Sequence, residues 1–167
     1  MRRNWHEVEN IFVGLENYNC FACSPYHADG LRLKFYYDPE EQCVVSPIEP
    51  LRESMAGFPT ILHGGFQAMI LDEAMFWAVC HSHRKVTFSS EFEMHFLKPV
   101  RTGTHLLAKA RILRSLREKV FEAEAWLEME RATVARATGR YMRLTRADLE
   151  RLAGTKEIPE KLAAMLG

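Results

Sequence analysis

The sequence has no excess of charge of either sign: 22 Lys and Arg stand against 22 Asp and Glu among 167 residues. That balance argues against nucleic acid as a partner, because such binding works through phosphate neutralisation by a broad basic field. No apolar run approaches the roughly 20 residues that a bilayer-spanning helix needs, so no membrane span is expected. The stretch Met1 to Asn10 lacks the apolar core of a signal peptide. With only four cysteines and no such signal, the thiols read as reduced and the protein as cytoplasmic. Repeats, low-complexity tracts and linkers are absent too, and the length suits a single domain, 1–167. What is present is apolar. At 47% hydrophobic against 26% charged, the chain can bury a sizeable core.

Trp5, Val8, Ile11, Phe12, Leu15 and Tyr18 recur at steps of three and four, which predicts an amphipathic N-terminal helix over about 4–18. A polar loop with two cysteines follows to Gly30. Leu31, Leu33 and Phe35 alternate with Arg32, Lys34 and Tyr36, and a second short strand begins at Cys43. A helix starts at the Gly64-Gly65 pair and runs to about Ser82. Period two then returns over Val86–Leu97, with Val86, Phe88, Ser90, Phe92, Met94 and Phe96 on one face and Thr87, Ser89, Glu91, Glu93 and His95 on the other. Three more strands are expected over about 106–113, 121–129 and 133–144, with Gly139 marking a bulge or a close backbone approach. Thr145 caps a first helix of a C-terminal tail over about 145–167, and Pro159 starts a second. Strands gathered around one long helix mean α+β, with an antiparallel sheet packed on that helix.

The long helix carries the chemistry. From Gly64 to Cys80 its only charges are Asp72 and Glu73, and apolar side chains occupy every face. Such a helix is normally buried, where an ionised carboxylate is costly unless paired or hydrogen-bonded. Adjacent helical positions differ by about 100°, so the two acids face different neighbours. A structural ion pair is the plainer reading of two such carboxylates taken alone. The helix start shifts the odds, because His63-Gly64-Gly65 lets backbone approach a ligand closely and leaves first-turn N–H groups without intrahelical acceptors. Those groups suit a carbonyl oxygen that becomes negative during reaction. Asp72 lies nine residues beyond His63, about 13 Å along the axis. Both can reach one reacting carbon only if a second copy of the helix supplies one of them.

At these residues the sequence resembles the hotdog-fold thioesterase superfamily, in its phenylacetate-pathway-like and 4-hydroxybenzoyl-CoA-thioesterase-like branch. The matching string is Leu62-His63-Gly64-Gly65, the acid at Asp72, a following strand, and Phe96-Leu97-Lys98-Pro99 through Gly103. Upstream, Cys20-Phe21-Ala22-Cys23 and Gly30-Leu31-Arg32-Leu33 resemble a Cys-x-x-Cys and Gly-Leu segment of some members. The likeness covers roughly 19–144, leaving extra N- and C-terminal helices as additions. It implies a long central helix wrapped by a curved antiparallel sheet, in a homodimer with interface active sites; further pairing to a homotetramer stays open. It implies an acyl-CoA thioesterase, with the coenzyme A thioester as substrate and no cofactor. Asp72 would act as nucleophile or general base and the Gly65 N–H would polarise the thioester carbonyl. His63 would shape the helix start and Ser89 would stand near the attacking water. Gly64 and Gln67 would help bind substrate, with Glu73 second in line to Asp72. Some relatives carry Asn or Gln six residues before the His; this chain has Gly57, which implies either another donor, such as Gln67, or weaker catalysis. A non-catalytic hotdog module that binds acyl-CoA or a related ligand is the alternative.

Lys98 and Arg101, after the strand beside the expected site, are the candidates for coenzyme A phosphates, whereas Arg111, Arg114, Arg117 and Lys119 read as a solvated face. Cys20 and Cys23 supply two of the four ligands a zinc ion usually takes. With His27 nearby and His81 and His83 at the helix end, the favoured reading is a reduced loop pair and no metal.

Overall fold

Alternating small and large side chains over 106–143 produce three long strands whose inner faces are lined by alanine. In the computed structural model, which describes residues 4–166, seven strands form one antiparallel sheet. Met1 to Arg3 and Gly167, the last residue of the expected tail, lie outside the described residues. In chain order the strands of this sheet are β1 (His6–Val8), β2 (Phe35–Asp38), β3 (Cys43–Ile48), β4 (Thr87–Phe96), β5 (Leu106–Leu116), β6 (Val120–Met129) and β7 (Ala132–Arg143). Their order across the sheet is β1-β2-β3-β5-β6-β7-β4. A small ribbon, Ala56–Phe58 with Ile61–Leu62, precedes the central helix α1 (Gly64–His83), and α2 (Arg146–Ala153) and α3 (Glu160–Ala163) close the chain.

Helix α1 lies across β3–β7 and β2. Ile70, Leu71, Ala74, Met75, Ala78 and Val79 meet Ala108, Ala110, Ala123, Ala125, Ala135 and Ala137 of the sheet, all buried. Small residues on the sheet let an all-round apolar helix lie close, and each large side chain so buried contributes about 1.5–3 kcal/mol. No helix among the described residues is long and apolar enough to cross a membrane.

The α+β architecture matches the sequence reading, and α2 has the expected Thr145 capping box with Asp148. The N-terminal segment is a correction. Residues 6–8 form β1, which pairs with β2, and 11–17 are turns rather than helix. The backbone turns left-handed at Gly14, with φ of 92°, which no helix can absorb. The apolar residues that looked helical still pack inward, with Ile11 buried and Phe12 stacked on Tyr18. The first expected strand is also shifted: pairing begins at Phe35, not Leu31.

The expected faces of β4 need a second correction. Its pairing with β7 slips between Ser89 and Glu91, so that Ser89 opposes Tyr141 while Phe92 opposes Gly139. This bulge reverses the parity of the strand, because two residues on β4 oppose one on its partner. Thr87 and Ser89 thereby share the helix-side face with Phe92, Met94 and Phe96, and Phe88 points away.

One carboxylate organises the sheet's other edge. Asp38 accepts from the Trp5 indole N–H at 2.8 Å and from the Glu40 and Glu41 amides at 2.9 and 3.2 Å. Burial alone would raise its pKa, but these donors more than offset that and hold the carboxyl below its usual value. A depressed folded pKa gives stability that is present above about pH 4 and is lost as pH falls through it. Asp38→Asn is expected to cost about 1–2 kcal/mol at pH 7 and almost nothing near pH 2, as measured by urea denaturation at both values.

Candidate active site

The register of β4 and β7 brings Ser89 and Tyr141 side by side beneath the middle of α1. Asp72 projects onto them. Its Oδ1 accepts from the Tyr141 hydroxyl at 2.8 Å, and the same hydroxyl lies 3.1 Å from the Asp72 carbonyl. Ser89 donates to the carboxylate as well. Burial raises the pKa of Asp72, and the bonds from Tyr141 and Ser89 only partly offset it. No cation pairs with Asp72 among the described residues. A half-buried carboxylate held by neutral donors alone is more basic than one in an ion pair.

Tyr141 can take this position because of Gly139. A Cβ there would stand 2.9 Å from the Tyr141 ring and 3.2 Å from Met75. The close backbone approach expected at Gly139 is therefore real, while the bulge lies on the neighbouring strand. Sequence reasoning missed Tyr141 itself, which looks like any inward-facing strand residue until the register is known.

At the helix start, His63 is the N-cap, and its Nδ1 accepts from the Gly65 N–H at 2.8 Å. The tautomer this requires carries its hydrogen on Nε2. The N–H expected to face a thioester carbonyl thus already has an acceptor within the chain, while the Gly64 N–H has none among the described residues. Phe96 covers this turn, since a Cβ on Gly64 would lie 2.9 Å from its ring. Gly57 also finds its reason here. A Cβ on it would sit 2.6 Å from Cδ2 of His63, so the imidazole lies against the bare backbone at this position.

Gln67 is buried, with Nε2 donating to the Leu62 carbonyl at 3.3 Å and Oε1 left without a partner among the described residues. It braces the turn from inside. Arg101 bridges to Ile61 and its guanidinium donates to Thr60 at 3.3 Å, so it stands beside the helix start with Lys98, three residues earlier on the same exposed segment. Neither is ion-paired among the described residues. The other basic residues behave as a solvated face: Arg111 pairs with Glu124, and Arg114 with Glu122, each at 2.6 Å.

Glu73 does not join Asp72. It points to the loop over 17–30, accepting from the Trp77 indole N–H at 2.9 Å, with the Cys20 sulfur 3.9 Å away. Burial raises its pKa to about 7, with further upward pressure from Cys20. His81 and His83 sit far from this cluster in the fold, against Tyr37 and Phe121.

A model of the thioesterase superfamily matches residues 60–131, which run from the helix start through β6 and include His63, Asp72 and Ser89 but not Tyr141. No curated protein matches significantly. Among solved structures, the Escherichia coli PaaI protein of the phenylacetic acid degradation operon is 22% identical, with 70% of this chain and 83% of that one covered at a TM-score of 0.61. A Bacillus halodurans protein solved with CoA is 25% identical over 72% of this chain and 80% of that one, TM-score 0.61. A putative thioesterase related to phenylacetic acid degradation from Ralstonia eutropha is 21% identical over 80% and 99%, TM-score 0.63.

The Gly57–His63–Gly65 stack is testable by stability alone. Gly57→Ala should displace the imidazole, break the cap and cost about 1 kcal/mol. In a His63→Ala background the same change should be nearly silent, a coupling that a denaturation double-mutant cycle measures.

Proposed function

The chain belongs to the hotdog-fold thioesterase superfamily, and from that premise we propose that it hydrolyses acyl-CoA thioesters at a site shared between two copies. The observation that carries the reading is Asp72: a carboxylate alone on its face of an apolar helix, held by Tyr141 and Ser89 and by no cation. Ion pairing would suit a structural acid. Two neutral donors suit a group that must take a proton or attack a carbonyl.

In this scheme Asp72 activates a water held near Ser89, or attacks the thioester carbon itself. Tyr141 fixes the carboxylate's rotamer, which makes it a positioning residue. The carbonyl oxygen accepts from the open Gly64 N–H, and from the Gly65 N–H once His63 Nδ1 gives it up. Lys98 and Arg101 supply positive charge for coenzyme A phosphates beside the same turn. One chain cannot close this site, because Asp72 stands seven residues down the helix from Gly65, about 10 Å at 1.5 Å per residue.

The edge strand β4 supports a second copy as the missing half. Phe92 and Phe96, and Leu97 just after the strand, are 38%, 57% and 51% exposed, and the outer edge of β4 has no partner among the described residues. An apolar exposed edge is a template for pairing with another chain. Pairing two β4 strands would bring the helix start of one copy towards the Asp72 of the other.

Asp72→Asn should lower thiol release from an acyl-CoA panel by about 10²–10⁴-fold with the fold intact by circular dichroism; an unchanged rate removes Asp72 from the mechanism. Binding of acyl-CoA without release, on every substrate of the panel, would instead identify the non-catalytic module. Phe92→Asp should give monomers in analytical ultracentrifugation and lose activity with them. Active monomers would refute the shared site.

A further inference from the structure

The second carboxylate of α1 has no part in this chemistry, and it meets two residues that also lack one. Cys20, Cys23 and Glu73 come from a loop and a helix 50 residues apart in the sequence, yet their ligand atoms all lie within 4.8 Å of one another. We propose that these three residues form a zinc site that fastens the loop to the centre of α1.

Three observations carry this. The donor set is a Cys-x-x-Cys pair of sulfurs plus one carboxylate oxygen, a combination of soft and borderline ligands that selects zinc over calcium or magnesium. The spacing suits it: zinc bonds of about 2.0–2.3 Å in tetrahedral geometry put ligand atoms about 3.5–3.8 Å apart, and Cys20 Sγ stands 3.9 Å from Glu73 Oε2. Third, Glu73 lies in an apolar helix with no cation beside it among the described residues. A partly buried carboxylate of this kind calls for a positive partner, and a divalent ion between it and two thiolates provides one.

The surroundings are built as an outer shell. The Trp77 indole N–H orients Glu73 Oε1, leaving Oε2 turned to the sulfurs. Tyr18 Oη stands 2.9 Å from Cys23 Sγ, and Asn10 Nδ2 donates both to that hydroxyl at 2.9 Å and to the Cys23 carbonyl at 3.0 Å. Such partners fix first ligands in place. A cavity of about 280 Å³ lined by Asn10, Cys23, Pro25 and Trp77 opens beside the cluster and gives an ion and its fourth ligand, a water, a way in. Binding releases the two thiol protons to solvent and changes no oxidation state.

The consequence is mechanical. Phe21, between the two cysteines, packs against Phe66 in the first turn of α1 and against His27. A metal at Cys20, Cys23 and Glu73 would hold this loop against the helix at two points, one of them next to Asp72.

The test uses the reduced full chain, loaded with zinc, freed of excess by dialysis and assayed by plasma mass spectrometry. About one zinc per chain is expected, with a rise in thermal midpoint on adding the ion. Cys20→Ser/Cys23→Ser should lose both. Glu73→Gln, which keeps size and thiols and so guards against misfolding, should weaken zinc binding at least about tenfold in competition with a chromophoric chelator. Cobalt in place of zinc should give tetrahedral ligand-field bands and sulfur-to-cobalt charge transfer that the double variant lacks. Reduced wild-type chain that retains no zinc would overturn the proposal, as would zinc retained by the double variant. A Cys20–Cys23 disulfide whose reduced form takes up no metal would also overturn it.

Discussion

A helix that is apolar on every face has to be covered on every face, and the rest of this molecule is arranged to do that for α1. The curved sheet takes one side, with alanines on β5, β6 and β7 bringing the strands close. The loop over 17–30 and the turns after β1 take the other, with Phe12 packed on Trp77 and Phe76 and Cys23 in the same core. At the edge strand β4 the outer side has no partner among the described residues, and there the apolar side chains Phe92 and Phe96, with Leu97 just after the strand, remain at the surface. The second copy proposed for the active site would continue the same constraint.

That helix also carries two adjacent acids, and helical geometry separates them. A rotation of about 100° per residue delivers Asp72 to the sheet and Glu73 to the loop. On the sheet, the carboxylate finds a tyrosine and a serine, donors that hold it without neutralising it. Towards the loop, Glu73 finds the two sulfurs of Cys20 and Cys23, with the Trp77 indole of its own helix as donor. Neither environment offers a fixed cation among the described residues, and both carboxyls are held above their ordinary pKa values, with burial the leading cause in each. One helix turn thus holds two carboxyls in different surroundings, each with a raised pKa.

Most of this architecture was legible in the sequence because it rests on periodicity. The central helix and the four long strands have runs of ten residues or more in which one pattern dominates. What escaped was either short or distant. β1 is three residues long and takes its conformation from pairing with β2 rather than from its own pattern. The turn between β6 and β7 places Glu130 and Arg131 in the left-handed region, at φ of 51° and 67°, without the Asn or Gly that would announce it. The bulge at Ser89–Glu91 leaves no local mark either, yet it decides that Ser89 faces Asp72. Asp72 and His63 stand out as polar residues in an apolar setting. Tyr141 and the Glu73–cysteine contact depend on register and long-range packing, about which spacing says nothing.

The helix start raises a question of competition whose answer lies in relative bond strengths. On the thioesterase reading, the Gly65 N–H serves two acceptors, His63 Nδ1 in the resting chain and a substrate oxygen during reaction. The cap bond is neutral and is worth about 1 kcal/mol. A ground-state thioester carbonyl is also neutral and would gain little by displacing it. The oxygen of a tetrahedral intermediate carries negative charge, and hydrogen bonds to such an oxygen are about twice as strong as neutral ones. The imidazole therefore yields to the intermediate more readily than to the substrate. An interaction available chiefly to the transition state lowers the barrier without tightening substrate binding. Gly57 makes this possible by leaving the imidazole room to lie over the turn, since any side chain at that position would meet the ring.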